Sequence, residues 1–340
     1  MNFTRIAASA LAASLLAAAL SVPVSGSAKA DGFYAGKTIK LYIGFGPGGG
    51  YDVYGRLLAR HLRKFIPGTP NVVPENMPGV GGLRVANYMA NAAAKDGLSI
   101  AMFSEGGAIE QLMGNKAVQF DAAKFLWIGR MTSSTTLYFT WHTSATKTFE
   151  DLRRRKTTFG ATGAGNTDFL PKAMNKLAGA QFEVISGYKG ANDIMLAVER
   201  DEVEAGSGHY TTLRNTKRDW LRDGKMIPIV LVSPKRFPEL PNVPIISELG
   251  LTPENNKVLS LFSEGQLGRS FFTAPDVPSE RVEILRKAFM ATMQDPEFLK
   301  EAAQQRVVLE VMSGEELQQV VGRVLATPKD LVHKAAEVRN

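Results

Sequence analysis

The alternation of apolar and polar positions near the start of the chain predicts a strand followed by a helix. Residues 37–45 alternate as in a half-buried strand, and Gly46-Pro47-Gly48-Gly49-Gly50 then breaks the pattern. After this break, apolar residues return at helical spacing and predict one buried helix face. The members of that face are Val53, Leu57, Leu58, Leu62 and Phe65.

Two further strands and a helix are predicted downstream. Pro67-Gly68-Thr69-Pro70 ends the first helix, residues 71–73 form a short strand, and Pro78 to Gly82 makes a tight turn before a second helix. Asp96-Gly97 then turns into a strand at residues 99–103. The order strand, helix, strand, helix, strand predicts a mostly parallel sheet covered by helices.

The same pattern recurs in the middle of the chain. Residues 157–161 read as a strand, 162–168 as a glycine-containing loop and 169–177 as a helix, while a later amphipathic helix begins near Ser279. We therefore predict an α/β protein of two domains, each a mixed or mostly parallel sheet flanked by helices. The predicted division is domain 1 at residues 31–129 plus 255–340 and domain 2 at residues 130–254.

The N-terminus has the pattern of a secretory signal peptide. Arg5 precedes an apolar run from Ile6 to Leu20, and Ala28-Lys29-Ala30 is a small-x-small cleavage pattern. The run is shorter than the roughly 20 apolar residues that span a bilayer, which favours cleavage over an uncleaved anchor. We therefore predict a signal peptide at residues 1–30 and a periplasmic location.

The composition of the chain excludes several classes of function. The chain of 340 residues has no cysteine, which excludes a disulfide framework and a thiolate metal site. Its formal net charge of +7 favours anionic ligands only weakly. The densest basic run, Arg153 to Lys156, has no interleaved aromatic residue, so nucleic acid is not an expected partner.

Each glycine-rich loop leads from a strand into a helix and so predicts an anion site. The first backbone N–H groups of a helix have no intrahelical partner, and the helix dipole places about half a positive charge there. Two such loops facing each other would hold a carboxylate-bearing molecule. Asp52 and Asp168 stand where each helix begins, and we expect them to be N-caps, with direct ligand contact as the alternative.

The sequence gives little support for catalysis. Gly44, Gly46 and Gly49 match a dinucleotide-binding spacing, but Pro47 interrupts it and an exported enzyme would need its cofactor outside the cytoplasm. The four histidines do not stand at metal-ligand spacing, so we expect no metal and no cofactor. Ser207-Gly208-His209 leaves an exported hydrolase as an alternative.

Eight ordered segments resemble the receptors of tripartite tricarboxylate transporters, also called Bug or TctC proteins. The segments are Lys37 to Ile39, Gly46 to Asp52, Glu75 to Gly82, Lys95 to Gly97, Phe159 to Gly165, Tyr188 to Gly190, Lys235 to Pro244, and Thr273 to Pro275 with its following helix. The resemblance implies a Venus flytrap, the fold of two-domain periplasmic binding proteins, that binds a small organic carboxylate and has no enzymatic activity.

The resemblance also implies partners and site residues. The expected partner is a membrane permease of one large and one small subunit, and the receptor itself is expected to be a monomer; a sensory binding protein without a transport partner is the alternative. The expected ligand-binding residues are Phe45, Gly48, Gly49, Tyr51, Asp52, Ser104, Thr162, Gly163, Asn166, Thr167 and Asp168.

The chain departs from the family pattern where ligand choice would be made. Tyr51 replaces a small hydroxyl residue, Asp168-Phe169 stands where a His-Leu pair is common, and Ser186-Gly187 replaces Val-Pro. Glu105 adds an acid near the expected cleft. A small or aromatic carboxylate, or an amino-acid-like ligand, is therefore as consistent with the sequence as a tricarboxylate.

Overall fold

The computed structural model of the protein describes residues 32–133, 135–163, 166–233, 236–264 and 267–338. The predicted signal peptide at residues 1–30 lies outside the described residues. The strands are β1 (Thr38–Ile43), β2 (Asn71–Asn76), β3 (Ser99–Met102), β4 (Leu126–Arg130), β5 (Thr136–Trp141), β6 (Thr157–Ala161), β7 (Phe182–Ser186), β8 (Ala205–His209), β9 (Met226–Val232), β10 (Ser270–Thr273) and β11 (Met312–Ser313).

Helices surround these strands. They are α1 (Gly50–Leu62), α2 (Leu83–Asn91), α3 (Gly107–Leu112), α4 (Phe149–Arg154), α5 (Asn166–Ala178), α6 (Ala191–Glu199), α7 (Tyr210–Thr216), α8 (Arg218–Arg222), α9 (Pro253–Glu264), α10 (Ser279–Thr292), α11 (Pro296–Gln304), α12 (Gly314–Leu325) and α13 (Lys329–Glu337). Within the described ranges, no helix combines the length and apolar character that crossing a bilayer requires.

The strands form two mixed sheets. The first has the order β11-β4-β10-β3-β1-β2, in which β1 is parallel to both β2 and β3 while β10 is antiparallel to β3 and β4. The second has the order β7-β6-β8-β5-β9, in which β6 is parallel to β7 and β8 while β5 is antiparallel to its neighbours. The predicted α/β class with two mixed sheets flanked by helices is confirmed.

Helix α1 shows how local sequence positions the site. Leu57, Leu58 and Leu62 are fully buried, as the apolar spacing predicts, and they pack with β1 residues in one core cluster. Val53 and Phe65, which belong to the same predicted face, are only half-buried. The three leucines fix the helix against the first sheet, so its N-terminal end stays where the strand β1 ends.

The chain passes between the two sheets twice. It leaves the first sheet after β4, enters the second at β5, and returns from β9 to β10. Helix α9, which begins near the second expected domain boundary, packs against α5 on one side and α13 on the other. The division into residues 31–129 plus 255–340 and residues 130–254 therefore stays a prediction.

Candidate ligand-binding site

A cavity of about 230 Å³ lies between the two sheets. The first glycine-rich loop, residues 44–49, contributes its lining from the end of β1, and residues 162 and 167 contribute from the end of β6 and the start of α5. Pockets for drug-sized ligands usually measure roughly 300–1,000 Å³. The cavity therefore suits a small metabolite.

The structure brings most of the predicted site residues to this cavity. Seven of them line it, and these are Phe45, Gly48, Gly49, Tyr51, Ser104, Thr162 and Thr167. Asp52, Gly163 and Asp168 are not among the lining residues. The side chain of Asn166 lies outside the described part of the chain. Contact of any of these residues with a ligand stays a prediction.

Asp52 stabilises the backbone of the first loop through hydrogen bonds. It is the third residue of α1, whose N-cap is Gly49, so the expected N-cap role is wrong. Its carboxylate instead accepts hydrogen bonds from the Gly48 N–H at 3.0 Å, Arg56 Nε at 2.8 Å and Asn76 Nδ2 at 2.8 Å. Burial alone would raise the pKa of Asp52, but these three donors lower it below its usual value.

Two positions of the first loop require glycine for steric reasons. Gly48 has a φ of +80°, a left-handed conformation that residues with a side chain rarely adopt. A Cβ on Gly44 would lie 2.9 Å from Val85 Cγ1 and 3.0 Å from the Met102 carbonyl oxygen. The loop therefore needs glycine both to turn and to approach α2 and β3 closely.

The second loop is held by hydroxyl groups. Thr167 Oγ1 accepts a hydrogen bond from the Thr162 N–H at 3.1 Å and lies 2.9 Å from Thr162 Oγ1. Asp168 is the third residue of α5, so here too the expected N-cap role is wrong. Its carboxylate contacts Lys172 Nζ at 3.1 Å and Ser186 Oγ at 2.6 Å, which ties α5 to the end of β7.

A buried ion pair that the sequence analysis missed lies at the floor of the cavity. Arg269 Nη1 donates to Glu105 Oε2 at 2.7 Å, and the two side chains are only 6% and 9% exposed. The Arg269 guanidinium also lies 4.0 Å from the centre of the Tyr51 ring, and Phe45 stacks on that ring at 4.2 Å. Burial opposes the charge of Arg269, but Tyr51 and Glu105 raise its pKa above the ordinary value.

One feature of the sequence indicates that Arg269 is buried with a partner. It is a lone charged residue directly before the fully buried strand β10, and a charge in such a place is buried only when it has a partner. Its partner Glu105 is 164 positions away, so the pairing itself could not be read from spacing.

His209, the last residue of β8 in the second sheet, also lines the cavity. Its Nε2 is 2.7 Å from the Ser133 carbonyl oxygen, which makes this nitrogen the N–H donor. Burial and the neighbouring Arg269 charge lower the pKa of His209 to about 4, so the ring is neutral at neutral pH. Nearby, Thr136 Oγ1 donates to Glu105 Oε1 at 3.2 Å and joins the two walls.

A backbone hydrogen bond joins the two walls beside the first loop. The Gly46 N–H donates to the Lys189 carbonyl oxygen at 3.2 Å, so the loop after β1 is bonded to the segment before α6. Next to this bond, the Asn192 side chain lies beside Gly48. The two walls therefore touch in two places, through Thr136 and Glu105 and through Gly46 and Lys189.

Residues 55–336 match the family model described as the tripartite tricarboxylate transporter family receptor. The chain belongs to this receptor family. The receptor is also similar to the Cupriavidus necator "UPF0065 protein in gbd 5'region", with 26% identity over 97% of this chain and 96% of that protein. The family is one of solute-binding receptors and not a class of enzymes.

Solved structures share the fold of the receptor. The periplasmic binding protein BugD has a TM-score of 0.71 and 22% identity, over 89% of this chain and 98% of its own. An R. palustris protein solved with adipate has a TM-score of 0.67 and 20% identity, over 88% and 97%. MatC from Rhodopseudomonas palustris, solved with malate, has a TM-score of 0.67 and 18% identity, over 87% and 99%. The two-domain periplasmic-binding-protein fold is thereby confirmed.

Proposed function

We propose that this receptor captures a small carboxylate-bearing organic anion in the cavity between its two sheets and delivers it to a membrane permease. The observation that carries the proposal is that both glycine-rich loops, one from each sheet, line a single cavity. In the proposal the permease has one large and one small subunit. The receptor acts as a monomer in the periplasm after removal of residues 1–30.

The geometry of the first loop supports an anionic ligand. Helix α1 has 13 residues and its N-terminal residues Gly50 and Tyr51 line the cavity. The unpaired N–H groups and the dipole at this end attract a negative charge. The fold relatives solved with adipate and malate, both carboxylates, agree with this ligand class.

An exported hydrolase is the second candidate, because Ser207 and His209 both line the cavity. The two residues are separated by one position on β8, so their side chains lie on the same face of the strand. The pKa of His209 is lowered to about 4, however, and its Nε2 already donates to a carbonyl group. A histidine of such low basicity is a poor general base at neutral pH, which favours binding without turnover.

The proposal is tested by ligand-dependent stability. The purified receptor is refolded to remove bound solute, and its melting temperature is measured with mono-, di- and tricarboxylates, aromatic acids and amino acids. A ligand at about 100 times its Kd stabilises a native state by about 2.7 kcal/mol, so a true ligand raises the melting temperature. Calorimetry then measures the Kd of each acid that gives a shift.

The control ligands are the primary amides of the same acids, which keep the shape and lose the charge. A shift with an acid and none with its amide is the expected result. If no carboxylate shifts the melting temperature, the binding proposal is wrong. Turnover of an ester that is abolished by Ser207→Ala would instead establish the hydrolase.

A further inference from the structure

Arg269 lines the cavity, and its ion pair uses only part of the guanidinium. Its Nη1 is bonded to Glu105, whereas its Nε is buried and has no hydrogen-bond partner within the described residues. A Cβ added at Gly50 would lie 3.6 Å from Arg269 Nη2 and 3.8 Å from Arg269 Nε, closer than to any atom outside its own segment of the chain. The Nε and Nη2 edge therefore faces the first residue of α1.

This arrangement has the geometry of a carboxylate subsite. An arginine binds a carboxylate through two parallel N–H groups, and the guanidinium edge supplies them here. The N-terminal N–H groups of α1 add donors and partial positive charge from the facing side. A Cβ at residue 50 would be in van der Waals contact with this guanidinium edge and with Thr212 Oγ1 at 3.9 Å, so glycine keeps the narrow gap free of a further side chain.

Resting on the proposed function, we propose that Arg269 binds the carboxylate of the ligand directly and that the site selects a monocarboxylate with an apolar body. The walls above this subsite supply the apolar contacts, through Phe45, Val53, Met195 and Leu213. The ring of Tyr51 lies between the subsite and Phe45 as part of the same wall.

The charges of the lining select against a second carboxylate. Arg269 is paired with Glu105, so this pair carries no net charge before the ligand binds. His209 is neutral, and Lys217 Nζ lies 3.9 Å over the Trp220 ring. A second carboxylate inside the cavity would lose its hydration and could pair with Lys217 only by drawing its Nζ away from that ring, and burying an unpaired charge is costly.

A matched ligand series tests the ligand class. Pentanoate, glutarate and 2-aminopentanoate share a five-carbon skeleton, and benzoate paired with terephthalate repeats the comparison with a rigid body. Calorimetry is expected to give each monocarboxylate at least about 10-fold tighter binding than its dicarboxylate, the scale of one lost charge-assisted hydrogen bond. Equal or tighter binding of the dicarboxylates overturns the monocarboxylate class, as does tightest binding of the amino acid.

Charge variants test Arg269 itself. Arg269→Gln combined with Glu105→Gln removes both charges of the pair together, so neither is left buried alone, and its melting curve reports the fold. This double variant is expected to lose monocarboxylate affinity by about 10- to 100-fold. Glu105→Gln alone removes the competing anion and is expected to tighten monocarboxylate binding.

The opposite signs of these effects distinguish a ligand-binding arginine from a structural one. If Arg269 only holds Glu105 in place, both variants weaken binding alike or leave it unchanged, and the inference fails. If the unmodified receptor binds carboxylates and the folded double variant binds them equally well, the inference fails while the proposed function stands. Failure of every carboxylate to bind the unmodified receptor overturns both.

Discussion

The two glycine-rich loops share one sequence pattern but are held by different chemistry. In the first loop a buried carboxylate, Asp52, accepts three hydrogen bonds and fixes the backbone at Gly48. In the second loop the hydroxyl of Thr167 takes over this task, while Asp168 contacts Lys172 and Ser186. The same acid three positions into a helix therefore builds the loop in one case and ties a helix to a strand in the other.

The largest difference is expected from Asp52→Asn. An amide has one acceptor oxygen, so its NH₂ group must face either the Gly48 N–H or the donors of Arg56 and Asn76. We expect a loss of about 2–3 kcal/mol in the free energy of unfolding, measured with urea. A loss below about 0.5 kcal/mol would show that the carboxylate does not hold the loop.

An intermediate effect is expected from Thr167→Val in the second loop. The change leaves the partly buried Thr162 N–H without its side-chain acceptor, at a cost of about 1 kcal/mol in the free energy of unfolding. Thr167→Ser keeps the hydroxyl and serves as the matched control. Equal stability of the valine and serine variants would contradict the assigned role of the hydroxyl.

The smallest effect is expected from Asp168→Asn, the same chemical change as in the first loop. The Lys172 side chain is 41% exposed, and the Ser186 hydroxyl can accept a hydrogen bond from an amide as readily as it donates to a carboxylate. We expect a change of about 0.5 kcal/mol or less in the free energy of unfolding. A loss equal to that of Asp52→Asn would mean that the two acids have one role after all.

The elements of the fold were accessible from the sequence because their signals are local. Residues 157–161 are a strand in both prediction and structure, and the amphipathic helix predicted near Ser279 begins at that residue. Apolar periodicity and glycine breaks operate within a few residues, so the chain around each loop determines them. The same local signals placed both loops at the ends of strands.

The candidate site was accessible only in part, because its floor is made by distant residues. Seven of the residues that the family resemblance implied line the cavity, whereas local sequence assigned Asp52 and Asp168 to helix caps. The true partners of Asp52 include Asn76, which comes from another strand. Arg269 reaches Glu105 only when β10 enters the first sheet beside β3, a pairing that no spacing along the chain encodes.

The bond between the Gly46 N–H and the Lys189 carbonyl oxygen uses no side-chain atom. Every amino acid except proline supplies the backbone N–H at position 46, and every amino acid supplies the carbonyl oxygen at position 189. This bond can therefore persist when the side chains that line the cavity are substituted. The contact between the two walls therefore does not depend on the side chains that line the cavity.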